Sequence, residues 1–437
     1  MTRITRRHFL RASAAAGAAL GAPMLARESQ AQELSFKPEA GARLRVLRWK
    51  RFVQGDEDQW LSNTKKFTER TGIEVTVDAE NWEDVRPKAA VAANIGNGPD
   101  IILSTNDDSH QYPDKLLDVG DLCEYLGNKY GPWYPSALAY GKSSGRWIAV
   151  PLGCGGNCLN YRESHVKAAG FEELPKDTDG FLKLCQALKK NGTPAGFALG
   201  NATGDANGWC HWLLWAFGGR VVDEQNKVAI NSKETARALE YAKTLYPTFI
   251  PGTLSWLDPN NNKAFLSGEI SLTANGISIY VAAKNSPDAK MQLIAKDMNH
   301  AAFPVGPVGH QTMSALFFTC GIFKYTKYPN AAKEYLRFMM EKEQYEAWQK
   351  ASASFVVQPL TFYERNPVWT EDPKNTPFKY TCKNMLPNGY AGTMGTASAG
   401  CMADFVVVNM VAEAASGNVS VKEAIERAEK RAKRYYR

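Results

Sequence analysis

From residue 43 onward the spacing of apolar positions switches repeatedly between a two-residue and a helical period. "RLRVLRW" (43–49) reads as a buried strand. "DEDQWLSNTKKFTERTG" (56–72) reads as a helix, with acids in its first turn, bases later and Gly72 as its stop. "IEVTVDAE" (73–80) predicts a second strand, 82–95 a second helix ending at "GNGPD", and "DIILST" (100–105) a third strand. Strands and helices in strict alternation build a parallel sheet with helices on its faces, so the fold class is α/β.

The same reading continues along the chain. "GRWIAVPLG" (145–153), "ISLTANG" (270–276) and "LFFTCGIFKYT" (316–326) predict strands. Residues 177–190, 233–246 and 261–269 predict helices. One long amphipathic helix is expected over 330–350 with Asn330 as its cap, and another over 420–436 opened by a Ser420–Glu423 capping box. "AAFPVGPVG" (301–309) has the Pro/Gly content of a connector between lobes. Residues 361–400, rich in Pro, Gly and Asn, predict a long irregular segment that is functional or mobile.

Ahead of this pattern lies a different kind of sequence. "TRRHFLRAS" (5–13) is basic, "ASAAAGAALGAPMLA" (12–26) is uncharged and weakly apolar, and Ser29 and Ala31 suit a cleavage site after Ala31. This predicts a signal peptide over 1–31 and a periplasmic location, and the arginine pair before Phe9-Leu10 is similar to the twin-arginine export motif. A disordered basic start on a cytoplasmic protein is the alternative. Five of the 52 Lys and Arg and one of the 45 Asp and Glu fall in this segment, so the net charge of +7 drops to +3 without it. No nucleic-acid partner follows from so small a charge. No later stretch is expected to span a membrane. The remaining chain, roughly 400 residues, is long enough for two lobes.

Candidate chemistry is sparse. "GKSSG" (141–145) matches a nucleophile elbow in letters, but a strand follows it where the elbow needs a helix, so a hairpin turn is expected. "DPNNNKAFLSGE" (258–269) imitates a calcium loop but carries Lys263 where the sharp turn needs glycine. The histidines form no HExxH, and the eight cysteines form no CxxC. No metal, no cofactor and no enzymatic activity are therefore expected. Disulfides, including a local Cys154–Cys158 bridge, and buried free thiols both remain open. Asp107 and Asp108 follow a parallel strand's carboxyl end, where open α/β sheets bind ligands; helix capping is the other role they could have.

Tryptophan carries the clearest hint. Of eleven, Trp49 ends a strand, Trp82 starts a helix, Trp256 sits in "LSWLDP", and Trp209 follows "NATGDANG" and is expected to be exposed. Trp212 and Trp215 have the spacing of helix core. Flat indole faces beside Asp, Asn and Gln suit the C–H faces and hydroxyls of a sugar.

The order of "FTERTGIEVTV", "GNGPDII", "GRWIAVPLGCGGNCLNYR", "AFLSGEISLTANG", "FPVGPVG", "YPNAAKEYLRFMMEKE" and "MVAEAASGNVSVKEAIERA" resembles that of the extracellular solute-binding proteins of ATP-driven importers, in the group that includes maltodextrin-binding protein. The resemblance implies a two-lobed, type II periplasmic binding protein fold. One lobe would take 43–151 plus 306–353 and the other 152–305 plus 354–437. The crossings would fall at Pro151-Leu152-Gly153, Phe303-Pro304-Val305 and Ala353-Ser354-Phe355. It implies a monomer that binds a carbohydrate or polyol between the lobes and delivers it to a membrane permease. The ligand contacts implied are Trp49 to Gln54, Asp107 or Asp108, Trp256, the Asn275-Gly276 turn, and Tyr390 in "NGYAGT"; Trp82 and Trp209 join them as candidates on their aromatic faces alone. An amine bound by carboxylates and Trp is the alternative on the same fold, and an exported polysaccharide hydrolase or lyase the alternative from another class.

Overall fold

A computed structural model describes residues 36–437, and the expected signal peptide lies outside the described residues. The opening alternation forms as a parallel sheet. β1 (Arg43–Trp49) pairs in parallel with β2 (Glu74–Glu80) and with β3 (Ile101–Thr105), and helices Gln54–Thr71 and Trp82–Ile95 connect them. Gly72 ends the first helix in the left-handed region (φ 73°), donating to the Thr68 carbonyl at 2.8 Å, the cap its lack of a Cβ favours.

A short hairpin, β4 (Lys142–Ser143) and β5 (Arg146–Trp147), turns through Ser144 and Gly145, so "GKSSG" is a turn as expected. β6 (Val150–Gly155) then joins the first sheet and β7 (Cys158–Arg162) starts a second one. β8 (Leu272–Asn275) and β9 (Met298–Ala301) flank β7 antiparallel. The chain returns to the first sheet with β10 (Phe317–Ile322) and β11 (Val356–Val357). The first sheet therefore has the order β11-β6-β10-β3-β1-β2 and the second β8-β7-β9.

The chain passes between the sheets at Gly156–Asn157, through 302–316, and after Val357. Pro151–Gly153 lies inside β6, so the first passage comes a few residues later than the sequence predicts. Gly153 is fixed by close approach: its φ is +132°, and an added Cβ would sit 2.0 Å from the Val357 carbonyl oxygen.

Three further expectations change. The helix expected over 330–350 is two helices, Pro329–Met340 and Lys342–Ala351. Between them Glu341 is extended (φ −67°, ψ 152°), and its carboxylate accepts from Tyr125, Lys129, Arg337 and Tyr130. The first helix begins at Pro329 after Tyr328, and Asn330 donates its backbone N–H to Glu39 instead of capping. Residues 361–400 form short helical turns anchored by buried Tyr363, Trp369 and Phe378. Residues 396–415 are apolar enough by length and composition to span a membrane, contrary to expectation, with mean hydropathy 1.3 over their best window. Phe405 interrupts them in the left-handed region (φ 50°), and much of the second half is core.

The core beside the second sheet gathers helices Asp205–Ala216, Lys233–Leu245, Val406–Ala415 and Val421–Ala432 around Leu159 and Leu272. Ser420 caps the last helix by accepting from the Glu423 N–H at 3.1 Å, while the Glu423 carboxylate turns to Arg427, so only half of the capping box forms. All eight cysteines are free and buried; Cys154 and Cys158 are not bridged.

Candidate functional site

One wall of a cleft grows from the edge of the first sheet at which β1, β2 and β3 end. Phe52 lies in the loop after β1, and Trp82 opens the helix that follows β2. β10 runs antiparallel to β3, so its first residues pair with the end of β3 and bring Phe318 to the same edge; Phe355 precedes β11. Open α/β sheets bind ligands outside this carboxyl edge.

The facing wall comes from the second sheet and the loops around it. Gly156 and Asn157 lie on the first passage between sheets, and Asn157 donates to the Ser314 carbonyl on the second at 2.7 Å. Asp205 starts helix Asp205–Ala216, Asp258 starts helix Asp258–Ser267, and Asn275-Gly276 ends β8 just before Ser278. Together with Gly155, Gly204 and Leu316 these groups line a cleft of about 500 Å³, counted to its open mouth. The centre of a water molecule fits within about 50 Å³ of it, room for roughly four waters.

The polar wall is braced by neutral donors. Asp258 accepts the N–H groups of Gly204 and Asp205 at 3.1 and 2.8 Å, closing the open end of the helix that Asp205 begins. Asp205 accepts from Asn261 at 2.7 Å and from Asn275 at 3.3 Å, both on Oδ2. Burial and the neighbouring Asp258 charge push the Asp205 carboxyl well up; burial raises Asp258 to about 6, with Glu83 adding to the rise. Asn275 also holds the turn, its Oδ1 accepting from Gly276 at 2.6 Å and from Ser278 at 3.2 Å. Gly276 has no room for a side chain, since a Cβ would meet the Gly156 carbonyl oxygen at 2.9 Å.

Of the residues expected in a site, Trp82, Asn275, Gly276 and, from the stretch Trp49 to Gln54, Phe52 line this cleft. The others named do not. Trp49 is fully buried behind it, packed on Trp82 and Phe318 at centroid distances of 5.1 and 4.8 Å, with its indole N–H on Asp56. Trp209, expected to be exposed, is buried in the second core and donates to the Ala198 carbonyl at 2.6 Å. Helical spacing puts it on the same inward side as Trp212. Gln54 is exposed and pairs with Asp58. Trp256 packs over Gly196, and Tyr390 stands edge-on to Trp215.

Asp107 and Asp108 turn away from the cleft. Asp107 accepts from Asn388 and, at 3.0 Å, from Ser398, tying the end of β3 to the C-terminal segment; burial and the charge of Asp108 raise it to about 6. Asp108 accepts from Arg86 at 2.6 Å, Thr105 and Gln111, and burial raises its pKa against the pull of Arg86. The calcium reading of 258–269 gives way to a helix. Phe52 lies inside the 49–54 loop singled out from sequence, Asp205 and Asp258 inside two loops singled out for other reasons, and Phe355 at an expected crossing; nothing in the sequence marked Phe318 or Asn157 as lining a site.

Solved structures share this architecture. Maltose-bound MalE3 of T. maritima superposes with a TM-score of 0.76 at 18% identity, covering 90% of this chain and 99% of that one. The GacH receptor of Streptomyces glaucescens, solved unliganded and with acarbose, gives 0.74 at 18%, covering 91% and 97%. A solute-binding protein of an ABC transporter from Thermotoga lettingae, bound with α-D-tagatose, gives 0.75 at 18%, covering 91% and 100%. At such identities the likeness shows the fold, which is the two-lobed, maltose-binding-protein-like one. No curated protein matches the sequence. The sequence profile of one family does match, over residues 64–377, more than half of the chain, and by it the protein belongs to the bacterial extracellular solute-binding proteins.

Proposed function

We propose that the protein is the periplasmic substrate-binding component of an ABC importer, taking a carbohydrate or polyol into this cleft and delivering it to a membrane permease. The observation that carries the proposal is the pairing of walls. Aromatic faces at Phe52, Trp82, Phe318 and Phe355 suit the C–H side of a small ring or chain, and Asn157, Asp205, Asp258 and Asn275 suit its hydroxyls. The sugars in the related structures support the same ligand class. The lobes would be 43–151 with 306–353 and 152–305 with 354–437, working as a monomer exported through the signal at 1–31. Their closure on the solute is hinge bending, and the solute selects the closed form because it touches both walls there.

The test is calorimetric titration of the mature chain with a panel of monosaccharides, disaccharides and polyols. At a ligand concentration of 100 Kd, linkage adds about 2.7 kcal/mol to stability, so a binder also raises the melting temperature by about 3 °C for a chain of this size. A panel with neither heat nor shift refutes the ligand class. Chemical alteration of the solute refutes the binding role.

A further inference from the structure

We propose that the solute carries one amino group, held as an ammonium between a box of four rings and the carboxylates of Asp205 and Asp258. The inference rests on the cleft being the solute site, and it narrows the ligand class to amino sugars or amino polyols.

The rings close on themselves. Neighbouring centroids are 5.3 Å apart from Phe52 to Trp82, 6.0 Å from Trp82 to Phe318, 6.1 Å from Phe318 to Phe355 and 6.4 Å from Phe355 back to Phe52. Trp82 stands at 70° to Phe52 and 81° to Phe318, while Phe52 and Phe355 lie within 9° of parallel. All four rings line the cleft, and a ring face attracts a cation within roughly 6 Å of its centroid.

Nothing in the protein fills that role. Among the described residues no Lys or Arg sits over any of the four rings; such contacts fall on other aromatics. Among the described residues, Asp205 and Asp258 are the only ionisable side chains lining the cleft. Every hydrogen bond they accept comes from a neutral amide, and both that reach the Asp205 side chain fall on Oδ2, leaving Oδ1 for a solute. With a neutral sugar the pair has no counter-charge and relieves its buried charge by keeping a proton, the direction in which burial already pushes both acids. An ammonium supplies the charge, donates to Asp205 and meets the ring faces together. Trp82 is 8% exposed, and its buried indole N–H has no partner among the described residues.

The test titrates the mature chain at pH 7.5 with glucose and glucosamine, sorbitol and its 1-amino-1-deoxy analogue, and choline. The amino member of each pair is expected to bind at least tenfold more tightly than the neutral one. Asp205→Asn should reduce that preference to threefold or less. Phe355→Leu, which keeps apolar bulk but removes a ring, should weaken the amino compounds selectively. Neutral members binding as well as their amino partners, or a preference surviving both substitutions, overturns the inference and leaves the proposed function standing. Choline binding with no polyhydroxylated compound binding overturns the carbohydrate reading and leaves the ammonium site standing. No binding by any probe to protein that melts cooperatively overturns both.

Discussion

Asp56→Asn should destabilise the protein far more than any surface charge change, because one carboxylate organises the ground behind the cleft. Asp56 accepts from the Arg48 guanidinium at 2.5 Å, from the Trp49 indole at 3.1 Å and from the Trp348 indole at 2.9 Å. Both Arg48 and Asp56 side chains are 0% exposed. The amide keeps the shape but leaves the Arg48 charge buried and unpaired, a loss of about 3–5 kcal/mol. Unfolding about 400 residues carries an entropy near 0.8 kcal/mol/K, so the melting temperature should fall by about 4–6 °C. Asp78→Asn is the control: its pair with Arg45 is 28% and 57% exposed, and its loss should cost about 0–1 kcal/mol, about 1 °C or less. Replacing Arg48 by Met in the Asp56→Asn background should recover part of the loss by removing the stranded charge. Calorimetric melts at pH 7.5 and low salt make the comparison. If Asp56→Asn melts within about 1 °C of Asp78→Asn, or if Arg48→Met deepens the loss, the burial argument fails.

The raised carboxyls give a pH dependence with a definite sign. Asp258, at about 6 in the empty cleft with Asp205, Glu83 and the Gly204 and Asp205 amides around it, must lose its proton to serve an ammonium. Affinity for an amino solute should therefore rise between pH 5 and pH 7 by up to about tenfold per unit, and Asp258→Asn should flatten the rise in calorimetric titrations. Burial lowers His110, His211 and His300 to about 4, and each group's stabilisation, complete above its unfolded value of 6.5, is lost as pH falls toward 4. His211→Gln should accordingly reduce the drop in melting temperature between pH 7 and pH 4.5. Gly153→Ala should disrupt the pairing of β6 with β11, with a loss of several kcal/mol from strain and overlap, read as a lowered melting temperature. A thiol reagent should find almost no reactive cysteine in the native protein and eight after unfolding without reductant; six or fewer would reveal a disulfide.

The fold was readable where periodicity alone decides conformation. β1, helix 82–95 and β2 match their expected bounds to within a residue, since each shows one period and a clear stop. Periodicity missed the break at Glu341, because apolar spacing runs straight through it and the turn depends on distant donors at Tyr125, Tyr130 and Lys129. The cleft was legible only in part for a related reason. A tryptophan after a Gly- and Asn-rich loop looks exposed, yet Trp209 lies in a helix buried from Ala206 to Ala216 between neighbours that sequence order does not reveal. Phe318 and Phe355 are the opposite case: in the sequence they are ordinary core phenylalanines, and only the antiparallel return of β10 and β11 brings them beside Phe52 and Trp82.

That return also holds the aromatic wall on the first sheet, while the acids opposite belong to the second. Phe318 sits inside a six-residue strand paired on both sides, and Trp82 rests on Trp49, which Asp56 holds in place. Asp205 and Asp258 begin helices packed about the other sheet, tied to the first wall through the Gly156–Asn157 and 302–316 passages and through Asn106 on Thr203 and Asp107 on Asn388 and Ser398. A change in the angle of those passages alters the distance between rings and carboxylates without disturbing either wall. Replacing Asn157 by Ala removes its hold on Ser314, so the passages should flex more freely and the empty protein should open further. Small-angle scattering should then show a larger radius of gyration for the empty Asn157→Ala protein than for the parent, and solute should restore the parent value. An unchanged radius would mean that the two passages are not coupled through this side chain.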